Sequence, residues 1–424
     1  LLRVFDSDRF KKDFSASFSW QDYAAELEKV REIIEAVRAN GDRALREYIS
    51  RFDGADLNSL TVSEDEEREA AQSVDPELKQ AIAHALENIK HYHSMQMPQA
   101  FWSKGEGTVV GQFYRPLEKA GIYVPGGTAA YPSSVLMTTV PAVVAGVRDI
   151  YICTPPASDG TVNPVTLYAA RQAGAKKIFK VGGAQAVAAL AYGTETVPRV
   201  DKIVGPGNIY VTLAKKEVFG EVGIDMLAGP SEIMIVADDD SYADYVAADL
   251  LSQAEHDPSS KVYLVTPSRD FARKVEGELE KQLPRLSRRD IAERSLREQG
   301  GIIVSSGIDE VWEIVNLVAP EHLEVHLNDP WSYLEKINNA GSVFFGPSSP
   351  EALGDYWAGA NHVLPTGRAA RYSSPLGVHD FIKYSQAMSY SPEALHEAAP
   401  GINSLAMAEG LDAHALSVQI RRNG

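Results

Sequence analysis

The stretch KIFKVGGAQAVAALAYGTETVPRVDKIVGPGNIYVT, residues 177–212, decides the fold. The apolar run 177–181 ends in Gly182-Gly183. The Ala-rich segment 184–191 follows, with a composition that suits a helix. A second apolar run, 201–204, ends in Gly205-Pro206-Gly207-Asn208. Strand, glycine turn, helix and strand form one βαβ unit, and such a crossover makes its two strands parallel. Toward the N-terminus the same texture recurs. Residues 121–124 precede Pro125-Gly126-Gly127-Thr128, and 149–153 precede Thr154-Pro155-Pro156. The strand starts fall 28, 28 and 24 residues apart, with a helix-like segment at 162–173 between two of them. A second series follows at 232–237, 261–266, 301–305, 323–327 and 342–345. Two Rossmann-like α/β units fit this spacing better than one continuous sheet.

The flanks read differently. Over residues 20–50, Ala24, Leu27, Val30, Ile33, Ile34, Val37, Leu45 and Tyr48 recur at helical spacing, with Asn40-Gly41 as an interruption. Residues 63–97 continue helically. Ser63 and Glu66 have capping-box spacing, and Asp75-Pro76 starts a further helix. The last 50 or so residues mix turns and helix, with no strand series of their own.

Composition narrows the function. The 424 residues carry 41 Lys and Arg against 58 Asp and Glu, a formal net charge of −17. Such a chain repels nucleic acid and anionic lipid. A single cysteine excludes an intrachain disulfide and every Cys-rich zinc module, which favours a cytoplasmic setting. No apolar run is long enough for a membrane span, and residues 1–20 are too charged for a signal peptide. Cys153, at a strand end without a nearby cation, reads as a buried structural thiol. An aldehyde oxidation here would then need hydroxide from a base or metal.

Several polar segments could carry chemistry. Gln253 and His256 are three apart and share a helix face, so both could face one metal ion; a polar helix end is the plainer alternative. Glu321-His322 precedes a strand and suits two tasks at one spot, a carboxylate that activates water and an imidazole base. A polar strand-entry turn would look the same. Residues 354–362 form a Gly-rich loop with Asp355 and His362. Glu409 and His414 lie five apart near the C-terminus. Together these are dispersed O and N donors that would suit Zn²⁺ or Mn²⁺ with an open position. His84, His91 and His93 also invite a metal reading, although exposed helical histidines are commoner. The glycine turns could cradle a pyrophosphate, or simply turn the chain.

The segments, in this order, resemble histidinol dehydrogenases over about residues 20–420. The resemblance rests on GIYVPGGTAAYPSSVLM (121–137), VGGAQAVAALAYGTETVPRVDKIVGPGNIYVT (181–212), IDMLAGPSEIMIVAD (224–238), DLLSQAEHDP (249–258), APEHLE (319–324), GDYWAGANHVLPT (354–366) and EGLDAHA (409–415). It implies a two-step oxidation of L-histidinol to L-histidine through bound L-histidinal. The reaction uses two NAD⁺ and one Zn²⁺ per site, at the end of histidine biosynthesis. It places the metal ligands on Gln253, His256, Asp355 and His414, and the catalytic pair on Glu321 and His322. Substrate contacts fall on Ser231, Gln253, His256, His322, Asp355, Glu409 and His414, with a weaker carry-over to His362. NAD⁺ contacts fall on Tyr123, Gln185 and Asn208.

The implied fold class is α/β. Two Rossmann-like, incomplete parallel-sheet domains carry N-terminal helices and a C-terminal tail, in an intertwined homodimer. The expected division is an arm at 1–19, a larger α/β domain at 20–122 and 232–373, an NAD⁺-binding domain at 123–231, and a swapped tail at 374–424. In the dimer, Glu409 and His414 would serve the partner's site. Residues 372–378 and Lys383-Tyr384 depart from the family's usual tail. A paralogue acting on another small alcohol, such as a sulfopropanediol, would need a basic contact at position 409, where this chain has Glu.

Overall fold

The computed structural model describes residues 1–14, 23–126 and 130–422. Gly127 and Thr128 of the first glycine turn, and residues 15–22 of the expected arm and first helix, lie outside the described residues. Two parallel sheets organise the chain. One has five strands in the order Lys177–Lys180, Asp149–Thr154, Lys119–Tyr123, Lys202–Val204, Gly223–Ile224. The other has six, in the order Arg3–Asp6, Gly301–Val304, Lys261–Thr266, Glu232–Val236, His322–Val325, Ser342–Phe345. Inner strands such as Asp149–Thr154 and Glu232–Val236 are buried along their whole length. This is why they read as near-continuous apolar runs: helices cover both faces of a parallel sheet.

On one face of the five-stranded sheet, helices Ala24–Asn40 and Asp42–Phe52 share a buried cluster with Gly183–Tyr192 and Ile209–Val218. On the other face, Pro76–Ser94 packs with Pro132–Ala145 and Pro164–Ala173. The six-stranded sheet is covered by Ala243–Ala254, Arg269–Gln282 and Arg289–Gln299 on one side and by Ile308–Val318 on the other. The breaks between the early helices are those the sequence announces. Gly41, at φ +52°, ends the first helix. Ser63 and Glu66 form a reciprocal capping box, and Asp75 caps Pro76–Ser94.

The structure bears on the expected division in three places. First, the N-terminal arm is not separate: Arg3–Asp6 is the edge strand of the six-stranded sheet, paired in parallel with Gly301–Val304. Second, the helices of 24–94 pack on the five-stranded sheet, in clusters with Leu190, Leu213 and Val140, and Pro76–Ser94 also reaches residues 357–363, with Asn88 Nδ2 donating to the Trp357 carbonyl at 2.8 Å. A boundary at 122/123 would cut Lys119–Tyr123, the central strand of that sheet. Third, the tail contributes a strand. Ile382–Tyr390 pairs antiparallel with Thr108–Pro116, which pairs with Phe101–Gly105 across a turn where Gly107 has φ +66°. The strand Ile382–Tyr390 is mostly exposed on both faces, so it lacks the apolar/polar alternation that would have revealed it.

The turn Gly205–Asn208 is held from beneath by a buried ion pair. Lys215 and Asp225 pair with side chains only 3% and 1% exposed. Lys215 Nζ donates to the Gly205 carbonyl at 3.0 Å, and Asp225 Oδ2 accepts the Gly205 N–H at 2.8 Å. Gly205 has φ +118°, and a Cβ there would lie 2.1 Å from the Tyr123 carbonyl oxygen, so only glycine fits. Lys215→Met would strand the Asp225 carboxylate in the interior. We expect a loss of about 3–5 kcal/mol, read as a lower urea midpoint at unchanged slope; a midpoint equal to wild type would contradict this clamp.

Candidate active site

The densest group of buried ionisable side chains lies at the amino ends of the central strands of the six-stranded sheet. In a parallel sheet the covering helices run back, so their C-termini arrive at that edge. Helix Ala243–Ala254 therefore delivers Gln253, and His256 just beyond it, beside the first residues of Glu232–Val236 and His322–Val325. The short helix Glu351–Tyr356 adds Glu351 and Asp355, four apart and one turn above each other.

His322 is 4% exposed. Its Nδ1 lies 3.1 Å from the carbonyl oxygen of Glu232. A carbonyl can only accept, so this bond places the proton on Nδ1 and leaves Nε2 bare; Nε2 has no partner. Glu321 is turned away from that bond: its Oε2 accepts the N–H of Glu232 at 2.8 Å and stands 3.8 Å from His322 Nδ1. One strand residue thus fixes both members of the Glu-His pair through its own backbone. The Gln253 amide faces two acceptors on one side, the Glu351 carboxylate and the Glu232 carbonyl, beside the His322 Nδ1–H that the same carbonyl takes. With its nitrogen turned to them, it lies 3.1 Å from Glu351 Oε1 and 3.3 Å from the Glu232 carbonyl. Its oxygen then points away from all of them.

His256, Glu351 and Asp355 each offer a ligand atom within 4.8 Å of the others. His362 Nδ1 lies 3.8 Å from Asp355 Oδ1. Burial dominates the electrostatics. It pushes Glu321 and Glu351 well above the usual carboxylate range and Asp355 up to about 7. It holds His322 down at about 3 and His362 at about 4, so both rings are neutral. A second group lies behind: Glu324, pushed up by burial to about 7, bonds His326 Nε2 at 3.1 Å, and Asp249 is pushed up to about 8. Lys261 neutralises Glu232 at 2.9 Å. The remaining carboxylates outnumber the cations around them. Oε2 of Glu351 and Oε2 of Glu232 have no hydrogen-bond partner. Such a donor set, oxygen and imidazole without sulfur, fits a divalent cation.

The expected site residues therefore divide. Gln253, His256, Glu321, His322 and Asp355 are brought together, with Ser231 immediately before Glu232 and His362 against Asp355. Glu351 was missed by the sequence reading; its signal was its spacing of four from Asp355. Glu409 and His414 are exposed on the tail, and none of the four buried apolar clusters includes a tail-helix residue. Tyr123, Gln185 and Asn208 sit at the carboxyl ends of the five-stranded sheet. Tyr123 Oη accepts the Gly183 N–H at 3.2 Å, Gln185 is buried, and the Asn208 side chain caps Ile209–Val218. A Cβ on Gly182 would strike Pro155 at 2.5 Å. Close backbone approach with two helix N-termini fits a dinucleotide pyrophosphate. Cys153 is fully buried, and burial pushes its thiol up, so it is no nucleophile. His93 is buried with Nδ1 on Gln96 Oε1 at 2.8 Å, and the metal-competent groups among the described residues contain neither it nor His84 or His91.

Known proteins resemble the chain along nearly its whole length. The family model for histidinol dehydrogenase matches residues 19–422. The histidinol dehydrogenase of Moorella thermoacetica is 50% identical over 425 residues, covering 99% of this chain and 100% of its own length. That of Bacillus subtilis is 53% identical over 393 residues, covering 92% of each chain. The crystal structure of histidinol dehydrogenase from Elizabethkingia anophelis superposes with a TM-score of 0.93 at 39% identity, covering 99% of this chain and 98% of that one. The chain belongs to the histidinol dehydrogenase family.

Proposed function

We propose that this chain oxidises L-histidinol to L-histidine in two steps, with two NAD⁺ and one zinc ion per site. The observation that carries the reading is the meeting of a bare imidazole, a separate carboxylate and a sulfur-free metal-type donor set in one buried place. Gln253, His256, Asp355 and, from a second copy, His414 would hold zinc, which supplies a positive anchor for the substrate's imidazole and amine. The turns beside Tyr123, Gln185 and Asn208 would hold NAD⁺, which supplies the hydride acceptor for each oxidation.

The chain's own groups then handle protons. His322 Nε2 takes the hydroxyl proton as the alcohol carbon gives up hydride. The ring is held by its Nδ1–H on the Glu232 carbonyl, so it accepts without turning. Glu321 takes a proton from water as the water oxygen adds to the aldehyde carbon. The hydrate anion so formed gives its carbon-bound hydride to the second NAD⁺, and the resulting carboxylic acid releases its proton to solvent as the carboxylate. Burial around Glu321 strengthens it as a base once ionised and keeps the aldehyde from bulk water. Ser231 and Glu409 complete the proposed substrate contacts, Glu409 facing the amine.

A homodimer is part of this reading. Leu405, Met407, Leu416 and Ile420 of the tail helices are exposed, together with Met388 of the tail strand. So large an exposed apolar surface calls for a covering partner. We expect cytoplasmic action on this small cationic substrate, and no helix among the described residues is long and apolar enough to cross a membrane.

Three outcomes follow. Chelation should abolish turnover and Zn²⁺ or Mn²⁺ should restore it; full activity in metal-stripped protein would remove the zinc. Glu321→Gln should slow oxidation of added L-histidinal by about 10²–10⁴-fold, far more than alcohol oxidation. Equal losses in single-turnover measurements of the two steps would reassign Glu321. Inactive His322→Ala and inactive His414→Ala subunits should regain activity when mixed into one dimer. No regain in verified mixed dimers would place His414 in its own subunit's site.

A further inference from the structure

Glu351 has no part in the chemistry above, yet it is set into the same centre. It is 2% exposed, and its Oε2 has no partner. Its Oε1 lies 3.1 Å from the Gln253 amide nitrogen when that nitrogen is turned toward it. It reaches the group formed with His256 and Asp355, where the three ligand atoms lie within 4.8 Å of one another.

An amide has two orientations, and for Gln253 the balance of donors and acceptors around it favours one. Its surroundings on one side are the Glu351 carboxylate, the Glu232 carbonyl and the His322 ring nitrogen. Turning the oxygen to that side would set it against a carboxylate and a carbonyl, both acceptors, with only the His322 Nδ1–H, already given to the Glu232 carbonyl, as a donor. Turning the nitrogen there makes hydrogen bonds and frees the oxygen. Glu351 is itself well fixed. Its backbone N–H donates to Glu324 Oε1 at 2.7 Å, and Glu324 is fully buried and bonded to His326. The start of helix Glu351–Tyr356, and with it Asp355, is pinned by the same bond.

We propose that Glu351 is a positioning residue of the metal centre: its carboxylate accepts the Gln253 N–H and thereby presents the Gln253 oxygen, rather than its nitrogen, to the cation. This rests on the zinc reading of the centre. A positioning role and direct ligation differ in what they need. Positioning needs an acceptor oxygen; ligation by a carboxylate needs its charge. Glu351→Gln keeps an acceptor and loses the charge. Glu351→Met keeps the volume and loses the acceptor.

The test is the zinc affinity of the full-length protein, measured by competition with a chromogenic chelator after metal stripping. Glu351→Met should weaken zinc about 10–100-fold, as loss of a partner behind a ligand does. Glu351→Gln should recover most of that loss. In a Gln253→Met background, Glu351→Met should cost nothing further, since the two act through one contact. Three results would overturn the proposal: wild-type affinity in Glu351→Met, a loss in Glu351→Gln as large as in Glu351→Met, or losses that add across the double variant. Wild-type protein that binds no zinc would instead remove the metal reading itself, and the proposal with it. If the stripped Glu351→Met protein does not melt with wild type, Glu351→Asp, whose shorter side chain withdraws the acceptor, takes its place under the same expectations.

Discussion

Buried carboxylates in excess of buried cations are the constraint on which this structure turns. Glu321, Glu324 and Glu351 are each at most 6% exposed, and burial first, joined at Glu321 and Glu351 by neighbouring carboxylates, raises the affinity of each for a proton. A fold does not carry such a cost in its interior without a use for it. The remedies visible in the chain are partial. Backbone N–H groups of Glu232 and Glu351 serve Glu321 and Glu324, and Lys261 serves Glu232. What is left over is Glu351, which stands with His256 and Asp355, their ligand atoms within 4.8 Å of one another.

The sheet topology makes this arrangement rigid. Glu232 lies on a central strand, and its two backbone groups hold Glu321 and His322 in opposite senses. Its N–H points a carboxylate, and its carbonyl sets an imidazole tautomer. Residues 226–231 lead from this strand back to Asp225, which clamps the glycine turn at Gly205. The proposed proton chemistry and the proposed dinucleotide cradle are therefore tied to ordered backbone at both ends of one short connection.

Much of this was legible in the sequence. The 24- to 28-residue spacing of apolar runs identified parallel strands, because crossover helices set that period. Gln253, His256, Glu321, His322 and Asp355 stood out as polar residues beside strand and helix ends, and the structure gathers them. Other features were not legible. The exposed strand Ile382–Tyr390 has no buried face to imprint a period. The edge strand Arg3–Asp6 is four residues long and finds its partner almost 300 residues away. Glu351 looks like an ordinary helix-start glutamate until tertiary packing buries it. The place of the centre, at the amino rather than the carboxyl ends of its sheet, follows from where helix Ala243–Ala254 ends and not from any motif.

The central claim is that one buried centre performs both oxidations without releasing the aldehyde. The most direct measurement supplies L-histidinol with excess NAD⁺ and counts products. The account predicts two NADH for each L-histidine formed, with no free aldehyde trapped by an added amine reagent. One NADH per L-histidinol consumed, with L-histidinal accumulating in solution, would contradict it.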